Sequence, residues 1–149
     1  MIIRPFTSDD IPRLIEIGHM AHEESEYRTM EFSEEKCKHL CRQIILKPEM
    51  FGRVAERDGV IVGVAIGGIF PPYFSSDLNA SDLLFYVLPE HRGSRAFYVL
   101  CIEFIAWAKI SGAKLIFMRN TTGVMPGKVG ELYERMGFSR VGGIYRMEV

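Results

Sequence analysis

The feature that most constrains the fold is the segment of residues 82–112, which reads DLLFYVLPEHRGSRAFYVLCIEFIAWAKISG. Residues 83–88 are a near-continuous apolar run that is typical of a strand buried on both faces, and Pro89 ends it. A basic turn follows, and then a long apolar helix that leads to a strand at residues 114–118. Because a strand, a helix and a second strand form a crossover unit, the sequence predicts parallel pairing of residues 82–88 with that later strand.

The turn between the first strand and the helix is rich in positive charge. His91, Arg92, Gly93, Ser94 and Arg95 place two fixed cations, a glycine and a small hydroxyl side chain where the helix begins. The first turn of a helix has unpaired backbone N–H groups and a partial positive charge, which suit a phosphate or pyrophosphate. The sequence therefore predicts an anion site here, the alternative being a solvated loop whose arginines keep the protein soluble.

The remaining elements are predicted from hydrophobic spacing and turn signals. Asp58-Gly59 is the strongest hairpin signal and joins two antiparallel strands, so the sheet is expected to be mixed. Gly63, Gly67 and Gly68 lie inside a strand pattern, which indicates a bulge or close packing. The other expected elements are a strand at residues 1–5, helices from Thr7 and Ser33, hairpin strands at residues 52–57 and 60–70, a short helix at residues 129–136 and two closing strands within residues 138–149.

Composition fits one compact domain spanning residues 1–149, since 48% of the residues are hydrophobic and 25% are charged. The net charge of −1 argues against a general nucleic-acid binder. No apolar leader opens the chain and no apolar run approaches the length of a membrane span, so we expect a cytoplasmic protein without membrane contact. Cys37, Cys41 and Cys101 form an odd set without framework spacing, which is consistent with a reducing compartment.

Two segments carry a resemblance to a known family. The strand, turn and helix around PEHRG resemble the core motif of the GCN5-related N-acetyltransferases (GNAT), in which a turn of the form Arg/Gln-x-x-Gly-x-Gly/Ala binds the pyrophosphate of acetyl-coenzyme A. Arg92 matches its leading residue, whereas Arg95 and Phe97 stand at its two glycine positions. Residues 131–138, ELYERMGF, resemble the Leu-Tyr-Glu-x-x-Gly-Phe ending of the same domain, with Gly137 suited to a left-handed helix cap.

The resemblance implies both a fold and an activity. The expected fold is α/β, a mixed and mostly antiparallel sheet of six to seven strands with a splayed parallel pair in its centre and about four helices on its faces. The expected function is an acyltransferase that moves an acetyl group from acetyl-CoA, a cosubstrate, directly to a primary amine of a small molecule or protein. No metal is expected, because His19, His22 and Glu23 lack a further ligand.

The resemblance also implies the site residues. Tyr133 matches the tyrosine that protonates the departing thiolate, and Asp82, Glu24 or Glu26 would accept the amine's proton. A backbone N–H near Val87 or Leu88 would bind the thioester oxygen. The residues expected to bind the cofactor are Phe85, Tyr86, Val87, Arg92, Gly93, Ser94, Arg95, Ala96, Phe97 and Asn120.

Other functions are left open by the sequence. A non-catalytic module that binds coenzyme A would keep the fold, and the replaced motif glycines favour it, whereas Tyr133 favours the enzyme. A nucleotide-binding protein lacks support, since no Walker lysine or Rossmann glycine set is present. The acceptor would contact residues 23–30, residues 71–80 and the closing strands, where Glu23, Glu24 and Glu26 hint at a cationic amine. A homodimer is also left open, because dimers are common in the resembled family.

Overall fold

The computed structural model describes residues 1–149 and contains one five-stranded sheet in the order β1-β2-β3-β4-β5. The first three pairings are antiparallel, and β4 pairs with β5 in parallel, as the sequence predicts. The strands are β1 (Ile2–Pro5), β2 (Met50–Arg57), β3 (Val60–Phe70), β4 (Leu78–Val87) and β5 (Ala113–Phe117). The helices are α1 (Ile11–Glu24), α2 (Glu34–Leu46), α3 (Ala96–Ile110) and α4 (Pro126–Arg135).

Local signals in the sequence account for the ends of several elements. Asp58 and Gly59 both have positive φ values, +52° and +79°, as the tight hairpin turn between β2 and β3 requires. Ser33 begins α2, and its hydroxyl accepts a hydrogen bond from Lys36 N at 3.3 Å. Gly137, at φ +95°, lies in the left-handed conformation just after α4, where Phe138 N donates to Tyr133 O.

Two layers of helices cover the sheet. Side chains of α1 and α2 pack on one face, with Ile17, Cys41 and Val54 in that core. Helix α3 packs on the other face, where Phe104 is fully buried against β3. A Cβ on Gly67 would lie 2.6 Å from the Phe104 ring and 2.8 Å from Ser81 O, so this glycine allows the close packing that its place in the strand pattern indicates.

The parallel pair separates partway along β4. Pairing of β4 with β5 ends at Ser81 and Phe117, whereas β4 continues to Val87. The register of β4 against β3 shifts at the same place, since Gly67 pairs with Asp82 and Ile66 with Leu84. A bulge of this kind bends a strand and increases its twist. The second half of β4 therefore lies beside a gap rather than beside a strand.

Three expectations about the sheet are corrected. The sheet has five strands rather than six to seven, because residues 138–149 form no strand and pair with no neighbour. The parallel pair consequently lies at the edge of the sheet, not in its centre. Strand β4 is not buried on both faces throughout, since it borders the gap and Leu83 is 53% exposed.

None of the four helices combines the length and apolar character needed to cross a bilayer.

Candidate active site

The gap between β4 and β5 opens into a cavity of about 830 Å³. Leu84 and Tyr86 line it and belong to the core under α1 and α2. Phe85 and Val87 also line it and belong to the core under α3. Because side chains from both faces of the sheet contribute, the cavity passes through the sheet at the gap. Residues 91–94 line it at the turn before α3, whereas Ala21, Tyr27 and Ile144 are contributed by α1, by the segment after it and by the C-terminal residues.

The free edge of β4 offers backbone groups to this gap. Leu88 N donates to Val62 O of β3 at 2.9 Å. Since alternate residues of an antiparallel strand face the same neighbour, Tyr86 also pairs with β3, and the N–H groups of Phe85 and Val87 face the gap. Of the two backbone donors expected from the sequence, Leu88 is thus already engaged, and Val87 is the one directed into the cavity.

The turn before α3 has unpaired backbone donors. The N–H groups of Gly93, Arg95, Phe97 and Tyr98 find no acceptor within the chain. Gly93 has φ +83°, and a Cβ there would meet nothing within 4 Å, so the backbone is open to approach. These groups lie at the positive end of the α3 dipole. Their arrangement is suited to an anion such as a diphosphate.

Arg92 forms an ion pair and hydrogen bonds with other residues of the chain. Its Nη1 and Nη2 donate to the two carboxylate oxygens of Glu24 at 2.5 and 2.6 Å, and its Nε donates to Val87 O at 3.0 Å. The Tyr86 hydroxyl donates to the same carboxylate at 2.7 Å. The Arg92 guanidinium holds the pKa of Glu24 below its ordinary value, and burial together with Glu24 raises the pKa of Tyr86 to about 12. This network ties the end of α1 to the turn before α3.

Tyr133 and Asp82 lie in the wall of the cavity near the point where the strands separate. Tyr133 is 7% exposed, and its hydroxyl donates to Arg119 O at 3.3 Å. Burial raises the pKa of Tyr133, which keeps the phenol protonated. Asp82 is 6% exposed and accepts a hydrogen bond from Arg119 N at 3.1 Å. Burial also raises the pKa of Asp82, and the N–H and charge of Arg119 oppose that rise.

The other predicted site residues are divided between the cavity and its surroundings. Asn120 lines the cavity, and its Nδ2 donates to Pro126 O at 3.1 Å. Phe97 lines it too, with its ring 6.4 Å from that of Tyr133 in a stacked arrangement. The predicted residues that do not line the cavity are Glu24, Glu26, Leu88, Arg95 and Ala96.

Several lining residues were not identified from the sequence. Arg119 lies two residues after the end of β5 and donates to Asp82 O and Ser81 Oγ at 2.9 and 2.8 Å, so it bridges the strands where their pairing ends. Lys128 adds a cation from α4. The position of Arg119 just after a short predicted strand could have identified it from the sequence as a candidate site residue. Tyr27 and Ile144 lie within residues 23–30 and the C-terminal segment that the sequence predicts to contact the acceptor, although neither was singled out there.

The split parallel pair and the fold around it are those of an acyltransferase. The chain belongs to the acetyltransferase (GNAT) family, whose model matches residues 15–138. A comparison with curated proteins found no match.

Solved structures are similar to the chain over nearly its whole length. A transcriptional regulator from Bacillus halodurans C-125 is 20% identical, over 99% of each chain, with a TM-score of 0.78. AAC(6')-Iy in complex with the bisubstrate analogue CoA-S-monomethyl-acetylneamine is 15% identical, over 99% of this chain and 98% of that chain, with a TM-score of 0.77. A ribosomal-protein-alanine N-acetyltransferase from Brucella melitensis biovar Abortus 2308 is 15% identical, over 100% of each, with a TM-score of 0.73. At these identities the similarity establishes the fold.

Proposed function

We propose that this protein is an N-acetyltransferase that moves an acetyl group from acetyl-CoA directly to a primary amine. The observation that carries the proposal is the single cavity that joins the turn of free N–H groups to Tyr133 through the gap beside β4. A long thioester fits such a passage because its anionic end and its reacting end are far apart. Transfer then needs no covalent intermediate on the protein.

The cosubstrate would be held mainly by backbone groups. The N–H groups of Gly93, Arg95 and Phe97 have no partner in the chain and would donate to the diphosphate. The free N–H groups of Phe85 and Val87 would pair with the amide arm, as an added strand pairs with a sheet edge. The complex of AAC(6')-Iy with a coenzyme A bisubstrate analogue supports this cosubstrate for the fold.

Three groups have a role in the reaction. The Val87 N–H would stabilise the negative charge that develops on the thioester oxygen when the amine attacks the carbonyl carbon. As the carbon–sulfur bond breaks, the Tyr133 hydroxyl would donate its proton to the departing thiolate. Asp82 would accept the proton that the amine loses, directly or through water. Burial moves the pKa of Asp82 upward, toward the pH at which a general base is effective.

Glu24 is better suited to positioning than to accepting a proton. Both of its carboxylate oxygens are engaged, and Arg92 lowers its pKa. A weakly basic carboxylate accepts a proton poorly. We therefore assign Glu24 to holding Arg92, and through it the turn that would bind the diphosphate.

A thiol-release assay with acetyl-CoA and a panel of primary amines tests the proposal. We expect release of coenzyme A that depends on the amine, together with a product heavier by one acetyl group in mass spectrometry. Isothermal titration with acetyl-CoA provides the separate measurement of binding. Binding without transfer to any amine would contradict catalysis and identify a coenzyme A binding module, for which Arg95 and Phe97 at the motif's glycine positions are the specific argument.

A further inference from the structure

The acidic residues at the end of α1 and just after it do not form a negative wall in the cavity. None of Glu23, Glu24 and Glu26 lines it. Glu24 is paired with Arg92 at 2.5 Å. Glu26 is paired with Arg146, whose Nη1 donates to Glu26 O at 2.9 Å and lies 3.3 Å from Glu26 Oε2. Two of the three carboxylates that suggest a cationic acceptor are therefore neutralised by arginines of the same chain.

A second part of the cavity lining, outside the turn before α3, is mainly apolar and hydroxylic. It is formed by side chains from α1, from the segment after it, from β4, from the loop after β5 and from the C-terminal residues. These are Ala21, Tyr27, Leu84, Thr121, Thr122 and Ile144. Asp82 is the one carboxylate among all the lining residues, which also include Arg92, Arg119 and Lys128. Arg92 is paired with Glu24, but Arg119 and Lys128 still outnumber Asp82, so the lining as a whole is positive on balance.

Such surroundings distinguish between amines. A single ammonium can lose its proton to Asp82 and react, but a second ammonium would face this lining with no free carboxylate to pair with. An unpaired charge in an apolar site is strongly disfavoured, and nearby like charges add repulsion. In contrast, burying methylene groups or a ring against Leu84 and Ile144 makes the free energy of binding more favourable.

We propose that the acceptor is a small molecule with one primary amine on an apolar body, and not a polyamine or another polycation. The proposal rests on the acetyltransferase function argued above and specifies the substrate class of that site. The loop after α1 contributes shape rather than charge. Glu26 N donates to Thr122 O at 2.7 Å, and the Tyr27 hydroxyl donates to Thr121 Oγ1 at 3.3 Å, which fixes this wall in place.

The first experiment compares acceptors of nearly equal length. Hexylamine and 1,6-diaminohexane differ in one terminal ammonium, so the ratio of their kcat/KM values measures the penalty for a second charge. We expect hexylamine to be preferred by roughly tenfold or more in the thiol-release assay. Equal use, or preference for the diamine, overturns the proposed acceptor class while leaving acetyl transfer established. No transfer to either amine, or to a wider panel, in a protein that binds acetyl-CoA contradicts the enzyme function itself.

The second experiment restores a free carboxylate. Arg146→Gln leaves Glu26 without its cation beside the cavity wall. The kcat/KM for 1,6-diaminohexane should therefore rise about twofold to fivefold, the range expected for an exposed ion pair. The kcat/KM for hexylamine should not change. Arg140→Gln is the matched control, because Arg140 is exposed and bonds only to Gly142 O. An equal gain in both variants, or no gain in Arg146→Gln, would contradict the charge argument.

Discussion

Two parts of the cavity lining are built in different ways. At the turn before α3, residues close together in the sequence supply the donors, since Gly93, Arg95 and Phe97 present unpaired N–H groups within five positions. The wall around Tyr27 is instead assembled from distant parts of the chain. Tyr27 bonds to Thr121 across 94 positions, and Arg146 bonds to Glu26 across 120.

Because of this difference, binding of the cosubstrate and choice of the acceptor depend on different kinds of contact. A backbone turn at a helix start binds an anion with little dependence on side chains, so local motifs reveal that part. A wall made of long-range contacts depends on which side chains meet and which charges cancel. We therefore expect a substitution in one part of the lining to leave the function of the other part intact.

Tyr133→Phe tests the proposed general acid. Removing the phenolic proton should lower kcat about a hundredfold, because general acid catalysis contributes factors of that order. Affinity for acetyl-CoA should change little, since the ring and its packing against Phe97 remain. Steady-state kinetics and titration calorimetry measure the two quantities. Tyr145→Phe is the control, as Tyr145 is 99% exposed; an unchanged kcat in Tyr133→Phe would remove the role.

Asp82→Asn tests the proposed base. Because burial raises the pKa of Asp82, the wild-type kcat should fall as pH drops through that raised pKa, where the carboxylate becomes protonated. The asparagine variant should lose about tenfold or more in kcat and should lack this acid limb. Asp77→Asn, at an exposed ion pair with Lys114, serves as the comparison. A pH–rate profile that keeps the limb in Asp82→Asn would assign the proton transfer to another group.

Glu24→Gln tests the turn before α3. Without the carboxylate, Arg92 and the turn lose their anchor, so KM for acetyl-CoA should rise about threefold to tenfold while kcat changes less. Glu24→Asp should recover part of the affinity, and Glu23→Gln, which removes an adjacent carboxylate outside the network, should have no effect. A fall in kcat alone with normal acetyl-CoA affinity would instead favour Glu24 as a base.

The Glu24→Gln substitution should also lower the stability of the fold in a way that depends on pH. The pKa of Glu24 is lowered from 4.5 by Arg92, so the ion pair stabilises the fold above that pH and the contribution is lost as pH falls through the lowered pKa. Glu24→Gln should therefore be less stable at neutral pH, by about 1 kcal/mol or less because the pair is partly exposed. Thermal unfolding at a series of pH values should show the two proteins converging in acid. A constant difference would contradict the linkage.

Tyr27→Phe tests the wall around Tyr27 and should have the smallest effect. It removes one hydrogen bond of 3.3 Å to Thr121, so KM for the amine should rise about twofold while KM for acetyl-CoA is unchanged. Thr121→Val removes the same bond from the other side and should give the same result. If either variant altered acetyl-CoA affinity instead, the two parts would not be separable.

The same contrast explains what could be predicted from the sequence. The strand, turn and helix at residues 82–112 and the hairpin at Asp58-Gly59 follow from local rules, and the structure contains both. The partner of Arg92 could not be predicted, because Glu24 lies 68 positions away and ion pairing has no local signature. Residues 138–149 suggested two strands, but a strand needs a neighbour to pair with, and this segment instead contacts Glu26 through Arg146.

The most direct test of the account is a crystal structure of the protein with coenzyme A. We predict that the diphosphate accepts hydrogen bonds from the N–H groups of Gly93, Arg95 and Phe97. The sulfur should lie about 3.5 Å from the Tyr133 hydroxyl, within reach of its proton. Coenzyme A bound outside the gap beside β4, or a sulfur that the Tyr133 hydroxyl does not approach, would contradict the proposed transfer.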